Sequence, residues 1–472
     1  MNRDVTPVTE GDPEGRIARW FELRRRKTTV GTELLAGVTT FLVMAYIIFV
    51  NPAILNFSAV KDLQPLGPGV APTLAATCLV AGVMTVAMGL FTNYPFAVAP
   101  GMGLNAVVAF QLIVGMKLPW SAAMGVIVLE GLLITLLVLT GLREAVMNAI
   151  PLPLKRAIGV GIGLFILFIG LSTGGLVKPG PPGVPVTLGD VTSLPVLVTL
   201  AGLFLTIALV ALRLRAALLL GILLTTGLAI LVNAASGFLA FTLPGMAVIP
   251  SRILAWPDLS TFGRGLDFSV FQRVGILAGA MAVFSIMLAD FFDTMGTVIG
   301  IAGKAGWLDG RGRLPGLYRI LLVDSLAAAF GGLASASSAT TYVESAAGVS
   351  MGGQSGLASV VTGLLFFLAL FFAPLAGVVP PQATAPALIL VGFLMCAIVS
   401  EIPFSDFEEG FPALLMLVTM PFTYSITNGF GAGFISYVFI KLVRGKAREL
   451  HWMLVLTALA FLLYFALPWL RE

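Results

Sequence analysis

Apolar runs of about 20 residues recur along almost the whole chain from Val30 onward, separated by short loops that hold glycine, proline or a few charges. A helix crossing a hydrocarbon core needs about 20 such residues, and a chain that offers them repeatedly does not fold as a water-soluble globule. Composition agrees, since 58% of the 472 residues are hydrophobic and only 11% are charged. Fourteen spans would use roughly 280 positions, about the share that composition supplies. Soluble enzymes, disordered scaffolds and disulfide-stapled secreted domains are excluded. Two cysteines leave no room for a cysteine metal cluster. A transporter, a channel or a membrane-embedded enzyme remains.

The spacing predicts spans at about 31–55, 70–91, 101–115, 119–140, 155–172, 194–212 and 216–237. A second set of seven follows at about 272–300, 315–334, 342–352, 355–377, 384–400, 412–427 and 430–443. Residues 1–29 are polar and end in Arg24, Arg25, Arg26 and Lys27, which reads as a cytoplasmic leader rather than a signal peptide. The net charge of +4 does not point to nucleic acid, because the basic residues sit in short loops. Arg143, Lys155 and Arg156, then Arg213 and Arg215, then Lys304, Arg311, Arg313 and Arg319 all fall inside if the N-terminus is inside. Lys441, Arg444, Lys446 and Arg448 follow the fourteenth span, again inside, while Thr173 to Ser193 and Ala240 to Phe271 face outward. The last apolar run, Trp452 to Leu470, either crosses once more or lies in the interface.

Two spans are too short to cross. The third begins Pro95-Phe-Ala-Val-Ala-Pro100-Gly-Met-Gly-Leu-Asn105, where the prolines preclude regular helix until about residue 101. The tenth begins Ser335-Ala-Ser-Ser-Ala-Thr340-Thr-Tyr-Val-Glu344, a β-favouring stretch that runs into small helix formers. Each reads as extended backbone followed by half a helix. The breaks lie about 240 positions apart, as a seven-plus-seven inverted duplication places them. Non-helical backbone at membrane depth is tolerated only where protein buries it or it lines a cavity, so the two breaks mark a central site. Helix N-termini there aim unsatisfied amides at the carbonyl oxygens and ring nitrogens of a polar ligand.

Ionisable residues within spans are functional candidates by default, and here they are Glu130, Asp290, Asp293, Asp324 and Glu344. Asp290 and Asp293 stand three apart on one helix face that continues through Thr297 to Gly300. Two carboxylates that near each other resist being ionised together in low dielectric, and the Gly296 and Gly300 pair predicts a closely approaching helix. Glu344 reads in two ways, as the closing residue of a capping box with Thr341 or as a group that accepts hydrogen bonds from a ligand or exchanges a proton. Asn105 either bonds a ligand edge or ties the two half-helices together. Glu130 and Asp324, in plain apolar helices, read as structural. The single histidine, His451, lies beyond the fourteenth span, so proton coupling must use carboxylates. No nucleophile and base pair, metal-ligand spacing or phosphate-binding loop is present, and no repeated filter segment marks a channel. A carrier with one occluded site and no cofactor or metal fits best.

The motifs resemble the azaguanine-resistance type of purine permease within the nucleobase:cation symporter-2 family. The resemblance covers nearly the whole chain and rests on Ala45-Tyr-Ile-Ile-Phe-Val-Asn51-Pro52, Ala99-Pro-Gly-Met-Gly-Leu-Asn105-Ala, Asp290-Phe-Phe-Asp-Thr-Met-Gly-Thr297 and Thr340-Thr-Tyr-Val-Glu-Ser-Ala-Ala-Gly-Val349. It implies an all-α polytopic protein with the uracil-permease-like arrangement, a 14-span 7+7 inverted repeat with short extended segments before the half-helices of spans 3 and 10. In that arrangement residues 30–150 and 272–378 form a core domain and residues 151–240 and 379–445 a gate domain, with 241–271 an extracellular loop and 446–472 a C-terminal segment. It also implies import of adenine, guanine or hypoxanthine across the cytoplasmic membrane by proton symport, in a homodimer. The substrate would meet Asn105, Asp290, Asp293, Thr294, Thr341, Glu344 and Ser345, with Asp290 and Glu344 matching paired glutamates of uracil permeases and serving as proton-coupling candidates. The chain departs from the family pattern at Val107 and Val108, where an aromatic pair is usual, and at Gln354 and Ser355, where a basic residue and threonine are usual. An anion carrier of the same fold is the alternative; it would normally carry a basic or neutral residue at the tenth break, and Glu344 argues against it.

Overall fold

The computed structural model describes residues 16–141, 149–241, 246–250, 252–309 and 313–471. The leader residues 1–15, Arg143 and Arg311 lie outside that set. In chain order the principal elements are α1 (Val30–Met44), α2 (Ile47–Leu55), α3 (Val70–Thr92), β1 (Val98–Pro100), α4 (Met102–Ala106), α5 (Trp120–Thr140), α6 (Leu152–Thr173), β2 (Val177–Pro179), β3 (Val186–Leu188), α7 (Leu194–Ala211) and α8 (Ala217–Ala235). The second half holds α9 (Ile276–Ala305), α10 (Leu317–Ala334), β4 (Ala339–Thr341), α11 (Ser345–Ser350), α12 (Gly356–Ala369), α13 (Pro381–Met395), α14 (Phe407–Thr423), α15 (Ile426–Val443) and α16 (Trp452–Arg471).

Eleven helices among the described residues are long and apolar enough to cross a membrane, counting α1 and α2 as one. The expected third, tenth and thirteenth spans are not among them. The third and tenth are broken as the prolines and the Ser/Thr run foretell. The thirteenth, α14, is 17 residues long and starts further back than expected, taking Glu408 and Glu409 into its first turn. Those acids are tolerated because Lys441 meets Glu408 at 2.9 Å and Glu409 at 3.3 Å, and Lys446 meets Glu408 at 2.8 Å. The eighth span also shifts, beginning at Ile276 and continuing to Ala305.

The helices pack as two groups. Helices α3 and α12, α5 and α10, α1 and α12, and α5 and α9 are in extensive contact, as are α6 and α13, α6 and α14, α7 and α8, and α7 and α13. Between the groups α9 touches α6 and α15, and α4 touches α6. The C-terminal helix runs back along α15, with Phe461 against Phe434 at 6.0 Å and both Phe461 and Phe465 beside Gly431. That antiparallel register lays it alongside a spanning helix rather than flat across the helix ends, and its 20 residues reach about 30 Å.

The broken segments meet in the middle. β1 and β4 pair antiparallel with Val98 opposite Thr341, Ala99 opposite Thr340 and Pro100 opposite Ala339, and all six residues are buried. Two further backbone bonds extend the pairing, Gly101 N–H to Ser338 C=O at 2.8 Å and Tyr342 N–H to Ala97 C=O at 2.9 Å. Away from water, unpaired backbone groups are costly, and here each break supplies the partners the other lacks. Beyond β1 the chain makes α4 and then a widened π-helical stretch, Val107–Gly115, a form frequent at functional sites.

Candidate functional site

Helices α9 and α11 and the strand pair β1/β4 place the candidate residues, and they sort them onto two sides. One side faces the helices behind the strands. Asp324 on α10, fully enclosed, accepts from Thr341 N–H at 2.8 Å, from Thr341 Oγ1 at 2.7 Å and from Thr294 Oγ1 at 2.7 Å. Thr294 also meets Thr340 Oγ1 at 2.6 Å. Asp290 is buried with Glu130 of α5, and Ser338 Oγ lies 3.3 Å from a Glu130 oxygen and 3.4 Å from an Asp290 oxygen. Ser345 accepts from Ala97 N–H at 2.9 Å. Four of the expected substrate residues, Asp290, Thr294, Thr341 and Ser345, therefore lie on the side that holds the strands in place.

The other side is less enclosed. Asp293 and Glu344 are only half-buried, Val343 is 60% exposed, and Asp293 and Glu344 lie within electrostatic reach of each other. Glu344 accepts from the hydroxyl of fully buried Tyr46, at the turn between α1 and α2, while Asp293 has no hydrogen-bond partner among the described residues. Asn105, one turn into α4, is fully buried and neither its amide nitrogen nor its oxygen has a partner. Buried polar groups are almost always satisfied, so Asn105, whose donor and acceptor both lack a partner among the described residues, stands out. The alternative in which it ties the half-helices together is not realised.

Several expectations are corrected by this geometry. The capping box at Thr341 does not form, because the Thr341 amide is taken by Asp324 and the helix starts at Ser345, with Glu344 making no cap bond. No helix approaches Gly296 and Gly300; a side-chain carbon at either would meet nothing within 4 Å. Helix α11 has only six residues, so polarity at that break comes from Glu344 more than from a helix dipole. Val107 and Val108 are buried in helix packing and offer no stacking face. Gln354 is fixed from three directions: its carbonyl accepts from Arg26 at 2.7 Å, its side chain from Trp307 Nε1 at 2.7 Å, and its amide donates to Glu33 at 2.8 Å.

Sequence reasoning missed Tyr46 and Tyr342. Tyr342, buried, donates through its hydroxyl to the Pro100 carbonyl, so it locks the two breaks together. The available signal was a tyrosine two residues before an intramembrane glutamate, and another within the Ala45 to Pro52 motif.

Two paired, discontinuous segments with polar side chains at their junction inside a bundle of apolar helices are the arrangement of a multi-pass membrane protein. The Permease family model Xan_ur_permease matches residues 31–431, and the chain belongs to that family, the nucleobase:cation symporters-2 that its motifs resemble. It is 40% identical to the adenine permease AdeQ of Escherichia coli, covering 98% of this chain and 99% of that one. It is 40% identical to the guanine/hypoxanthine permease PbuG of Bacillus subtilis, with 94% and 98% covered. Among solved structures, the transmembrane domain of the cyanobacterial bicarbonate transporter BicA superposes with a TM-score of 0.60 over 84% of this chain and 96% of that one, at 15% identity. The murine anion transporter Slc26a9 gives the same TM-score over 93% and 74%, at 11% identity. At such low identity these two share the fold alone.

Proposed function

We propose that this chain imports purine nucleobases, adenine, guanine or hypoxanthine, across the cytoplasmic membrane by proton symport. The observation that carries the reading is the junction of the two breaks, where fully buried Asn105 has no partner among the described residues and Glu344 and Asp293 are only partly buried. A purine edge presents donors and acceptors in one plane. Asn105 complements one of each, and the carboxylates accept from ring or exocyclic N–H groups. The names of the relatives, an adenine and a guanine/hypoxanthine permease, support the substrate class.

In this reading Asn105, Asp293 and Glu344 touch the base, while Asp290, Thr294, Thr341 and Ser345 hold the strands behind it. Asp290 and Glu344 take part in proton coupling. The chain crosses the membrane fourteen times as a 7+7 inverted repeat with a cytoplasmic N-terminus and works as a homodimer. The packing supports the repeat: α5 on α10 mirrors α12 on α3, and α7 on α13 mirrors α14 on α6. The first group of helices is then the core and the second the gate, and transport moves one against the other. An anion substrate is disfavoured by two carboxylates at the less enclosed side. Uptake of labelled adenine, guanine, hypoxanthine, xanthine and uracil into proteoliposomes tests the reading. Accumulation of a purine that rises with an inward proton gradient is the expected result; no uptake of any base by folded protein refutes it.

A further inference from the structure

Among the described residues, one hydrogen-bonded side-chain pair joins the two helix groups. Gln111, in the widened stretch after α4, donates through Nε2 to Thr427 Oγ1 at 2.5 Å, and the Thr427 amide donates back to Gln111 Oε1 at 3.4 Å. Among the described residues no other hydrogen bond connects a helix of α1–α5 or α9–α12 to one of α6–α8 or α13–α15. Both side chains are buried, at 5% and 0% exposure. The amide that Gln111 accepts from belongs to the first turn of α15, whose donors have no partner within the helix itself. The contact is therefore reciprocal and specific: a leucine of similar size at 111 would leave both Thr427 groups unsatisfied.

Aromatic rings reinforce the same junction. Phe110 meets Tyr424 at 5.4 Å and Phe57 at 5.8 Å, and Tyr424 is backed by Phe165 at 5.7 Å and Phe168 at 5.5 Å. A cavity lined by Ile54, Phe57, Phe110, Ser172, Thr384 and Tyr424 is walled by these same rings, at the end of α6 that leads into the outward Pro/Gly-rich loop. Further along α9, a side-chain carbon at Gly296 or Gly300 would meet nothing within 4 Å among the described residues.

We infer that the Gln111–Thr427 pair, with the Phe110–Tyr424 contact beside it, is a latch that holds the outer entrance shut and must open for a substrate to enter. The inference rests on the transporter reading above and adds to it residues that touch neither the base nor the coupling carboxylates. The widened helix matters because it sets Gln111 and Phe110, adjacent in sequence, both against the second group.

Two measurements test it, both in a background with Cys78→Ala and Cys396→Ala. In the first, Ser172→Cys reports from the outer cavity, and its labelling by a membrane-impermeant maleimide added outside is timed with and without Gln111→Leu. Loss of a buried hydrogen-bonded pair should raise the labelling rate about fivefold; an unchanged rate overturns the latch. In the second, Gln111→Cys and Thr427→Cys are joined by a short cleavable bifunctional thiol reagent. Uptake should fall at least about tenfold and return on reduction, while cross-linked protein that transports at its starting rate overturns the inference. If the double variant has no uptake before the reagent is added, the labelling rate alone decides. Should the parent protein transport no base, the functional reading fails, and the labelling measurement still reads the latch.

Discussion

Asp290 and Asp293 sit one helical turn apart on α9, yet they live in different surroundings. Asp290 is enclosed with Glu130 and Ser338 behind the strands, and Asp293 stands partly buried near Glu344 with no hydrogen-bond partner among the described residues. A turn of 3.6 residues places i and i+3 about 60° apart around the helix. Here that angle carries one carboxylate into the wall and the other to its surface. Proximity along a helix therefore does not make two acids one site, and the same division runs through the strands, where Asp324 holds Thr341 while Glu344, three residues on, is only partly buried and meets Tyr46.

The largest expected effect is on the less enclosed side. Glu344→Gln removes the carboxylate and should cut concentrative uptake more than about a hundredfold, the consequence of losing a charge-assisted contact of roughly 3 kcal/mol. Thermal unfolding should barely change, and unimpaired accumulation by well-expressed variant would end the assignment. Next comes the pair that gives the comparison its sharpest form. Asp293→Asn should weaken base binding, read as a raised KM, whereas Asp290→Asn should leave binding intact and abolish the response of uptake to an imposed pH gradient. Identical behaviour of the two variants would erase the distinction between wall and surface.

Asp324→Ala attacks the wall itself. It strips the acceptor from the Thr341 amide and hydroxyl and from Thr294, and each buried group left unsatisfied costs about 1–3 kcal/mol, so the melting temperature should drop by several degrees before any transport assay is run. A variant as stable as the parent would show that the strands hold themselves. The smallest effect belongs to Gly296. Gly296→Ala should stabilise slightly, by about 0.5 kcal/mol, because helix interiors favour alanine and the position is open. Gly331→Ala should be clearly destabilising, since a side-chain carbon there would meet the Ser337 carbonyl oxygen at 2.1 Å. Equal effects in a denaturation series would mean that the α9 face is covered after all.

Much of this was readable from residues alone. Proline at 95 and 100 and the Ser/Thr run before Glu344 are local signals, and local signals set where helix stops. The intramembrane acids stand out because charge is rare there. What sequence did not convey depends on partners far away in the chain. The Thr341 amide is spoken for by a carboxylate on α10, which removed the capping box, and nothing in a glycine pair says whether a neighbour will come to fill it. The α14 boundary moved for the same reason: two glutamates are admitted to a membrane-length hairpin only because Lys441 and Lys446 arrive from the adjoining helix and loop. Asp324, read as structural, does take a structural place, although its partners could not be named.

The strand pair has a consequence for how the protein is made. β1 leaves the ribosome about 240 residues before β4, and at synthesis rates of about 5–20 residues per second that interval is on the order of tens of seconds. Through that time the Ala97 amide and carbonyl and the Gly101 amide lack their native partners Ser345, Tyr342 and Ser338, and hydrocarbon offers them none. The first half must wait, either near the aqueous edge of the insertion machinery or in the care of a membrane chaperone, until the second half arrives. Nascent chains truncated before Ala339 should accordingly be prime targets for membrane quality-control proteases, and release from that surveillance should coincide with synthesis of a single tripeptide.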